Sequence, residues 1–110
     1  MADLVAKYNE AEKLKDAGQY PESIAILEEI LVEDPAHVLS HLTLARIFTQ
    51  TGVHDRAIEH AVKACELEPN DAFNFSALSI TYQRAFAGTG ERKYIQLAED
   101  AMAHARNLAH

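Results

Sequence analysis

The sequence repeats itself with a period of 34 residues. Several pairs of identical residues stand one period apart, among them Gly18 and Gly52, Ile24 and Ile58, and Pro35 and Pro69. A second step carries His41, Leu44, Ala45 and Phe48 onto Phe75, Leu78, Ser79 and Tyr82, which keeps the order large, large, small, aromatic. A period of this length is typical of structural units that stack on their neighbours. The repeat therefore predicts a chain built from three similar units.

Each unit carries two stretches with helical periodicity. Apolar residues recur at spacings of three and four, which predicts one apolar stripe per helix. Gly18 and Gly52 stand just after the first stretch of their units, where a positive φ costs glycine nothing. Pro21 suits the first residue of a helix, because its missing N–H would have no helical partner there. We predict an all-α fold of six helices near residues 3–17, 21–33, 37–51, 55–67, 71–86 and 91–108.

The pattern resembles the tetratricopeptide repeat (TPR) family, whose unit is a helix–turn–helix of 34 residues. In the second unit the matching positions are His41, Leu44, Ala45, Phe48, Ala57, Ala61, Ala64 and Pro69. The resemblance covers nearly the whole chain as a single domain, 1–110, with repeats at about 4–37, 38–71 and 72–110. The third repeat carries an insertion of about 7 residues around Gly88 to Gly90. The resemblance implies a right-handed superhelix of antiparallel helices with a concave groove lined by the first helix of each repeat.

Charge and composition narrow the classes of partner. The chain has 17 Asp and Glu against 10 Lys and Arg, a net charge of −7, and its basic residues are scattered, which argues against nucleic acid. No stretch approaches the roughly 20 apolar residues that a membrane span requires. The N-terminus lacks the features of a signal peptide, and the one cysteine, Cys65, fits a reducing compartment. We therefore expect a cytoplasmic protein that binds neither nucleic acid nor membrane.

Six histidines call for a test of metal binding. His37 and His41 stand four residues apart, as two ligands on one helix face would, but no Cys, Asp or Glu joins them at ligand spacing. His41 falls on a core position of the repeat, and His54 takes a position at which an aromatic residue packs. His60 and His104 are predicted on exposed helix faces. We expect no metal site.

The chain offers no recognisable catalytic set. Cys65 falls in the last turn of a predicted helix, where the helix dipole raises a thiol pKa, so we expect it to fill the core. The segment from Gly88 to Gly90 lacks the later glycine and the lysine of a phosphate-binding loop and is read as a connection between helices. We expect a non-enzymatic protein without a cofactor.

The resemblance implies that the concave groove holds a peptide or a partner helix. Carrying over the groove positions gives Tyr8, Asn9, Glu12, Leu39, Leu42, Arg46, Phe73, Ile80 and Arg84. Because this row is largely apolar, with two arginines, we expect a hydrophobic peptide or amphipathic helix that carries an acidic residue. The alternative is that part of the row is buried. The first functional hypothesis is an adaptor that binds another protein.

Family members that bind the C-terminal tails of heat-shock chaperones use a clamp of two lysines, two asparagines and an arginine. The five clamp positions hold Tyr8, Glu12, Thr43, Phe73 and Ala77 in this sequence. None of them matches, and Glu12 would repel a carboxylate. The sequence therefore argues against chaperone tails as partners.

The last predicted helix suggests a second functional hypothesis, which is self-association. Its apolar positions are more numerous than one partner helix needs, and they include Leu97, Ala101, Met102, Ala105 and Leu108. End units of a repeat array need a polar cover, and we expect no further helix to provide one here. A second subunit in a symmetric dimer would cover this face. The alternative function is therefore a structural self-assembly module that forms a homo-oligomer.

Overall fold

The computed structural model describes residues 3–110, and this part of the chain is all-helical. Its six helices are α1 Leu4–Asp16, α2 Tyr20–Glu33, α3 Val38–Gln50, α4 His54–Leu67, α5 Ala72–Thr89 and α6 Lys93–Leu108. The predicted all-α fold is confirmed. The largest difference is at the end of α5, which runs three residues further than predicted. Thr89 is its last residue and its hydroxyl donates to the carbonyl of Ala85 at 2.7 Å, and Gly90 ends the helix with a φ of 74°.

Local sequence explains where several helices begin and end. The carboxylate of Asp3 accepts hydrogen bonds from two backbone N–H groups in the first turn of α1, and Asp71 accepts one at the start of α5. Gly18 and Gly52 follow α1 and α3 with φ values of 77° and 79°, as their positions predicted. These glycines let the chain reverse direction between the helices of a pair.

The helices pack in the order of the chain. Each helix contacts the next one, and in addition α1 contacts α3 and α3 contacts α5. Among residues 3–110 no other two helices make comparable contact. The odd-numbered helices therefore form a row, and the structure measures 41 × 30 × 20 Å.

The two helices of a pair approach each other closely at small residues. In the first pair, the hydroxyl of Ser23 donates to the carbonyl of Ala11 at 2.7 Å, and in the third pair Ser79 donates to the carbonyl of Ala98 at 2.8 Å. The middle pair has buried alanines at both equivalent positions. These contacts fix how the pairs correspond: a residue of α6 is equivalent to the residue of α4 that stands 41 positions earlier.

Two buried clusters form the core. The first joins α1 to α4 through Ala11, Leu27, Ile30, Leu44, Ile47, Phe48 and Ala57. The second joins α3 to α6 through Ala45, Ala61, Cys65, Leu78, Tyr82, Ala85, Tyr94, Ala98 and Ala101. Cys65 lies in this second cluster as expected, and burial raises the pKa of its thiol to about 11.

The structure corrects the predicted position of His60. Its side chain is only 8% exposed and lies against the rings of His41 and Phe48. The prediction was wrong because α4 packs against both α3 and α5, so its buried arc is wider than a single stripe. His104 is exposed, as predicted, although its ring contacts that of Phe75 in a tilted arrangement, with an interplanar angle of 60° and a centroid distance of 4.2 Å.

A second correction concerns the last helix. Ala101 and Ala105 are 7% and 3% exposed, because they face α5 within the chain's own core. They do not offer a surface to another helix, contrary to the prediction. Leu97, Met102 and Leu108 keep part of their surface exposed.

Candidate functional site

A cavity of about 470 Å³ lies between α3 and α5, with a contribution from α4. Leu42 of α3 and Phe73 and Ile80 of α5 form much of its apolar lining. Phe73 is 60% exposed and Ile80 is 49% exposed, so large apolar side chains meet solvent next to each other here. Adjacent exposed apolar side chains of this kind mark interaction surfaces.

The lining residues meet because of the repeat. Arg46 and Ile80 stand one 34-residue period apart, and the helices that carry them contact each other. Leu42 precedes Arg46 by four residues, and Arg84 follows Ile80 by four, so each pair shares a helix face. Five of the predicted groove residues therefore line one cavity.

The charged residues of this cavity are two arginines, Arg46 and Arg84. Neither forms an ion pair with any residue between 3 and 110. A guanidinium group offers several N–H donors in a planar arrangement that matches a carboxylate. The cavity thus combines an apolar lining with donors that carry positive charge.

The contact between α1 and α3 differs, because polar side chains close it. The hydroxyl of Tyr8 donates to Oε1 of Glu12 at 2.6 Å, and its oxygen lies 2.7 Å from Oγ1 of Thr43. Lys15 forms an ion pair with Glu12 at 3.0 Å. These groups bind each other and tie α1 to α3.

The same contacts shift the pKa values of Tyr8 and Glu12. Burial, together with the hydrogen bond to Glu12, raises the pKa of Tyr8 to about 12. Burial alone would raise the pKa of Glu12, but the hydrogen bonds from Tyr8 and Lys15 outweigh it and hold that pKa below its usual value. Tyr8 is therefore neutral and Glu12 is charged near neutral pH.

Four predicted groove residues lie outside the cavity. Tyr8 and Glu12 belong to the closed polar cluster. Asn9 and Leu39 are exposed on α1 and α3 without lining the cavity. The candidate site is therefore narrower than the predicted row and is centred on α3 and α5.

Two buried histidines form a feature that the sequence did not reveal. Nδ1 of His41 lies 3.0 Å from Nδ1 of His60, and Nε2 of His41 lies 2.9 Å from the carbonyl oxygen of Pro35. His37 stands apart from this pair, since its ring caps the start of α3 by accepting from the N–H of Ser40. Nowhere in residues 3–110 do three or more His, Cys, Asp or Glu side chains come together as metal ligands would.

A second, more open cavity of about 990 Å³ lies between α5 and α6. Its apolar side chains include Phe86, Ile95 and Met102, and its charged ones include Glu99 and Arg106. Met102 is thus the one predicted self-association residue that lines it. The other exposed candidates, leucines 97 and 108, do not.

No protein-family model matches the chain, and a search of the curated proteins finds no match. Across residues 3–110, every helix falls short of the length and apolar character that crossing a membrane takes.

Proposed function

We propose that the chain is a TPR-type solenoid that acts as a non-enzymatic adaptor and binds another protein through the cavity between α3 and α5. The 34-residue period and the packing of helices in chain order support the solenoid. The cytoplasmic location expected from the sequence is part of this proposal, and the single free, buried Cys65 is consistent with it.

The observation that carries the proposal is the pairing of exposed apolar side chains with unpaired positive charge. Leu42, Phe73 and Ile80 surround the same cavity as Arg46 and Arg84. Six of the ten Lys and Arg side chains form no ion pair within residues 3–110, and two of these six, Arg46 and Arg84, line the same cavity. Two unpaired positive charges beside one apolar cavity favour a negatively charged group in its ligand.

The ligand we propose is a peptide or one face of an amphipathic helix. Two apolar side chains would enter the cavity, and an acidic side chain beside them would accept hydrogen bonds from Arg46 or Arg84. Glu12 and Asp16 on the neighbouring α1 would disfavour an acidic residue at that end of the row. We therefore expect the acidic residue of the ligand to lie toward α5.

Selection from a library of random displayed peptides tests the proposal without knowledge of the natural partner. Selected peptides should contain apolar residues next to Asp or Glu and bind the isolated chain measurably by fluorescence anisotropy. Replacing Leu42 and Phe73 together by serine should weaken that binding at least tenfold. The variant Arg46→Glu should weaken peptides with an acidic residue more than their amide counterparts.

Val32→Ser is the matched control, because Val32 is 82% exposed on α2 and lies outside the cavity. It should leave peptide binding unchanged, and far-UV circular dichroism should show the same helicity in every variant. If the Leu42 and Phe73 double variant stays helical and binds the selected peptides as tightly as the original chain, the cavity is not the binding site.

A further inference from the structure

The second cavity lies on the face of α5 and α6, and the equivalent face of α3 and α4 is covered by α5. In the middle pair, Ala61 and Cys65 of α4 are buried against Leu78 and Tyr82 of α5. The equivalent face of the third pair is the open side of α5 and α6, where Phe86 is exposed beside the 990 Å³ cavity. One pair of helices therefore shows what this face looks like when a helix covers it.

The open face differs from the covered one in charge. By the correspondence of 41 positions, Glu99 stands where α4 has Ile58, and Arg106 stands where α4 has Cys65. Met102 replaces a buried alanine. A further apolar helix of the repeat type would bury both charges without partners, which is strongly unfavourable. The occupant of this face has to supply an acidic and a basic group of its own.

We propose that a second copy of the chain occupies this face, with the two α6 helices antiparallel about a two-fold axis that passes beside Met102 and Ala103. Glu99 and Arg106 are seven residues apart, so they lie on the same side of the helix and about 10 Å apart along it. The axis lies midway between them. Each Glu99 therefore faces Arg106 of the other copy, so these two charges complement each other across the axis. The third charged residue of the cavity, Asp100, accepts a hydrogen bond from Gln96 of its own helix at 2.8 Å.

The remaining residues of the face fit the same arrangement. Ala103 is small and exposed, which lets the two α6 helices approach each other at the axis. Met102 and Ile95 supply apolar surface on either side, and Met102 adapts readily to an irregular contact. Neither Glu99 nor Arg106 forms an ion pair within the described chain, so both are free to pair across the axis.

Charge reversal tests this pairing by sedimentation velocity. The unmodified chain should pass from monomer to dimer as its concentration rises through the micromolar range. Glu99→Arg and Arg106→Glu should each raise the dimer dissociation constant at least tenfold, because each places like charges opposite each other. An equimolar mixture of the two variants should dimerise again, since every contact in the mixed dimer joins opposite charges.

Glu66→Arg is the control for a change of charge elsewhere and should dimerise like the unmodified chain, since Glu66 is exposed on α4 and outside the cavity. The double variant E99R/R106E should also restore the homodimer, and circular dichroism checks that each protein is folded. The proposal is overturned if the unmodified chain remains monomeric up to about 500 µM, a concentration at which even weak dimers with millimolar dissociation constants are detectable. It is equally overturned if folded single variants dimerise unchanged, or if their mixture does not.

Discussion

The buried pair of His41 and His60 should make the stability of this protein fall in mild acid. The carbonyl of Pro35 can only accept, so Nε2 of His41 carries a proton and Nδ1 of His41 is an acceptor. Nδ1 of His60 must then donate to it, at 3.0 Å. This assignment leaves Nε2 of His60 without a proton, buried and without a partner among residues 3–110.

A further proton has no favourable place in this pair. On Nε2 of His60 it would be a buried donor without an acceptor, and on Nδ1 of His41 it would break the hydrogen bond between the rings. Burial lowers the pKa of His60, a positive charge on Arg56 or on His41 when that ring is protonated lowers it further, and Glu59 and Glu28 oppose these effects only in part. The folded state therefore resists protonation more than the unfolded chain does.

The sign and size of the effect follow from linkage. A histidine of the unfolded chain titrates near about pH 6.5. Below that pH the unfolded chain binds a proton at His60 and the folded chain does not. The contribution of His60 to the free energy of unfolding is therefore present above about pH 6.5 and is lost as the pH falls toward the lower pKa of the folded state. Going from about pH 7.5 to about pH 5.5 should remove up to about 1.4 kcal/mol through His60. For a domain of this size that corresponds to a Tm lower by roughly 5 °C.

Urea unfolding at the two pH values, in the chain and in His60→Leu, measures this contribution. The variant should have a lower free energy of unfolding at both pH values, because His41 loses its donor. The change in its free energy of unfolding between the two pH values should, however, be smaller than in the original chain by up to about 1.4 kcal/mol. His104→Gln, which removes an exposed histidine, should keep the original difference. Nitrogen-15 NMR should also find His60 protonated at Nδ1 and His41 at Nε2. Equal pH differences in the chain and in His60→Leu would refute the reasoning, as would protonation of His60 at Nε2 near neutral pH.

Three further predictions concern single contacts. Gly88→Ala should fail to show the about 1 kcal/mol of stabilisation that alanine gives over glycine inside a helix, because its Cβ would overlap the ring of His54, whereas the same change made together with His54→Ala should show it in thermal unfolding; full stabilisation by Gly88→Ala alone contradicts this contact. Ser79→Ala should lower the free energy of unfolding by no more than about 1 kcal/mol in urea, since the middle pair has alanine at the equivalent position, and a loss above about 2 kcal/mol counts against that equivalence. Cys65 is 5% exposed and its pKa is raised to about 11, so a thiol reagent should label it at least a hundredfold more slowly at about pH 8 than in urea, whereas equal rates would show that it is accessible.

The helices could be predicted because their signals are local. Gly18 and Gly52 mark helix ends through backbone conformation, and Asp71 marks a start through a hydrogen bond two residues away. The cavity residues could be predicted for a related reason. A period of 34 residues copies the same helix position into neighbouring helices, so Arg46 and Ile80 had to come close once the units stacked.

Contacts between side chains that are distant in the sequence could not be predicted. His60 meets His41 across 19 positions in the chain, and nothing local distinguishes its place on α4 from an exposed one. The closed contact between α1 and α3 depends on Tyr8 and Glu12 reaching Thr43, 31 or more positions away. Side-chain rotamers decide such contacts, and periodicity carries no information about them.

One repeat position shows how the same scaffold acquires different surfaces. Glu12, Arg46 and Ile80 occupy it in α1, α3 and α5. In α1 the residue is a carboxylate held by a tyrosine and a lysine of its own helix, in α3 it is a cation in an open cavity, and in α5 it is an apolar wall of that cavity. The same aligned position therefore takes part in a closed contact in α1 and in a candidate binding site in α3 and α5, and the side chains that occupy it differ in charge and polarity. Specificity in such a chain is therefore expected at positions that the repeat aligns but does not keep identical.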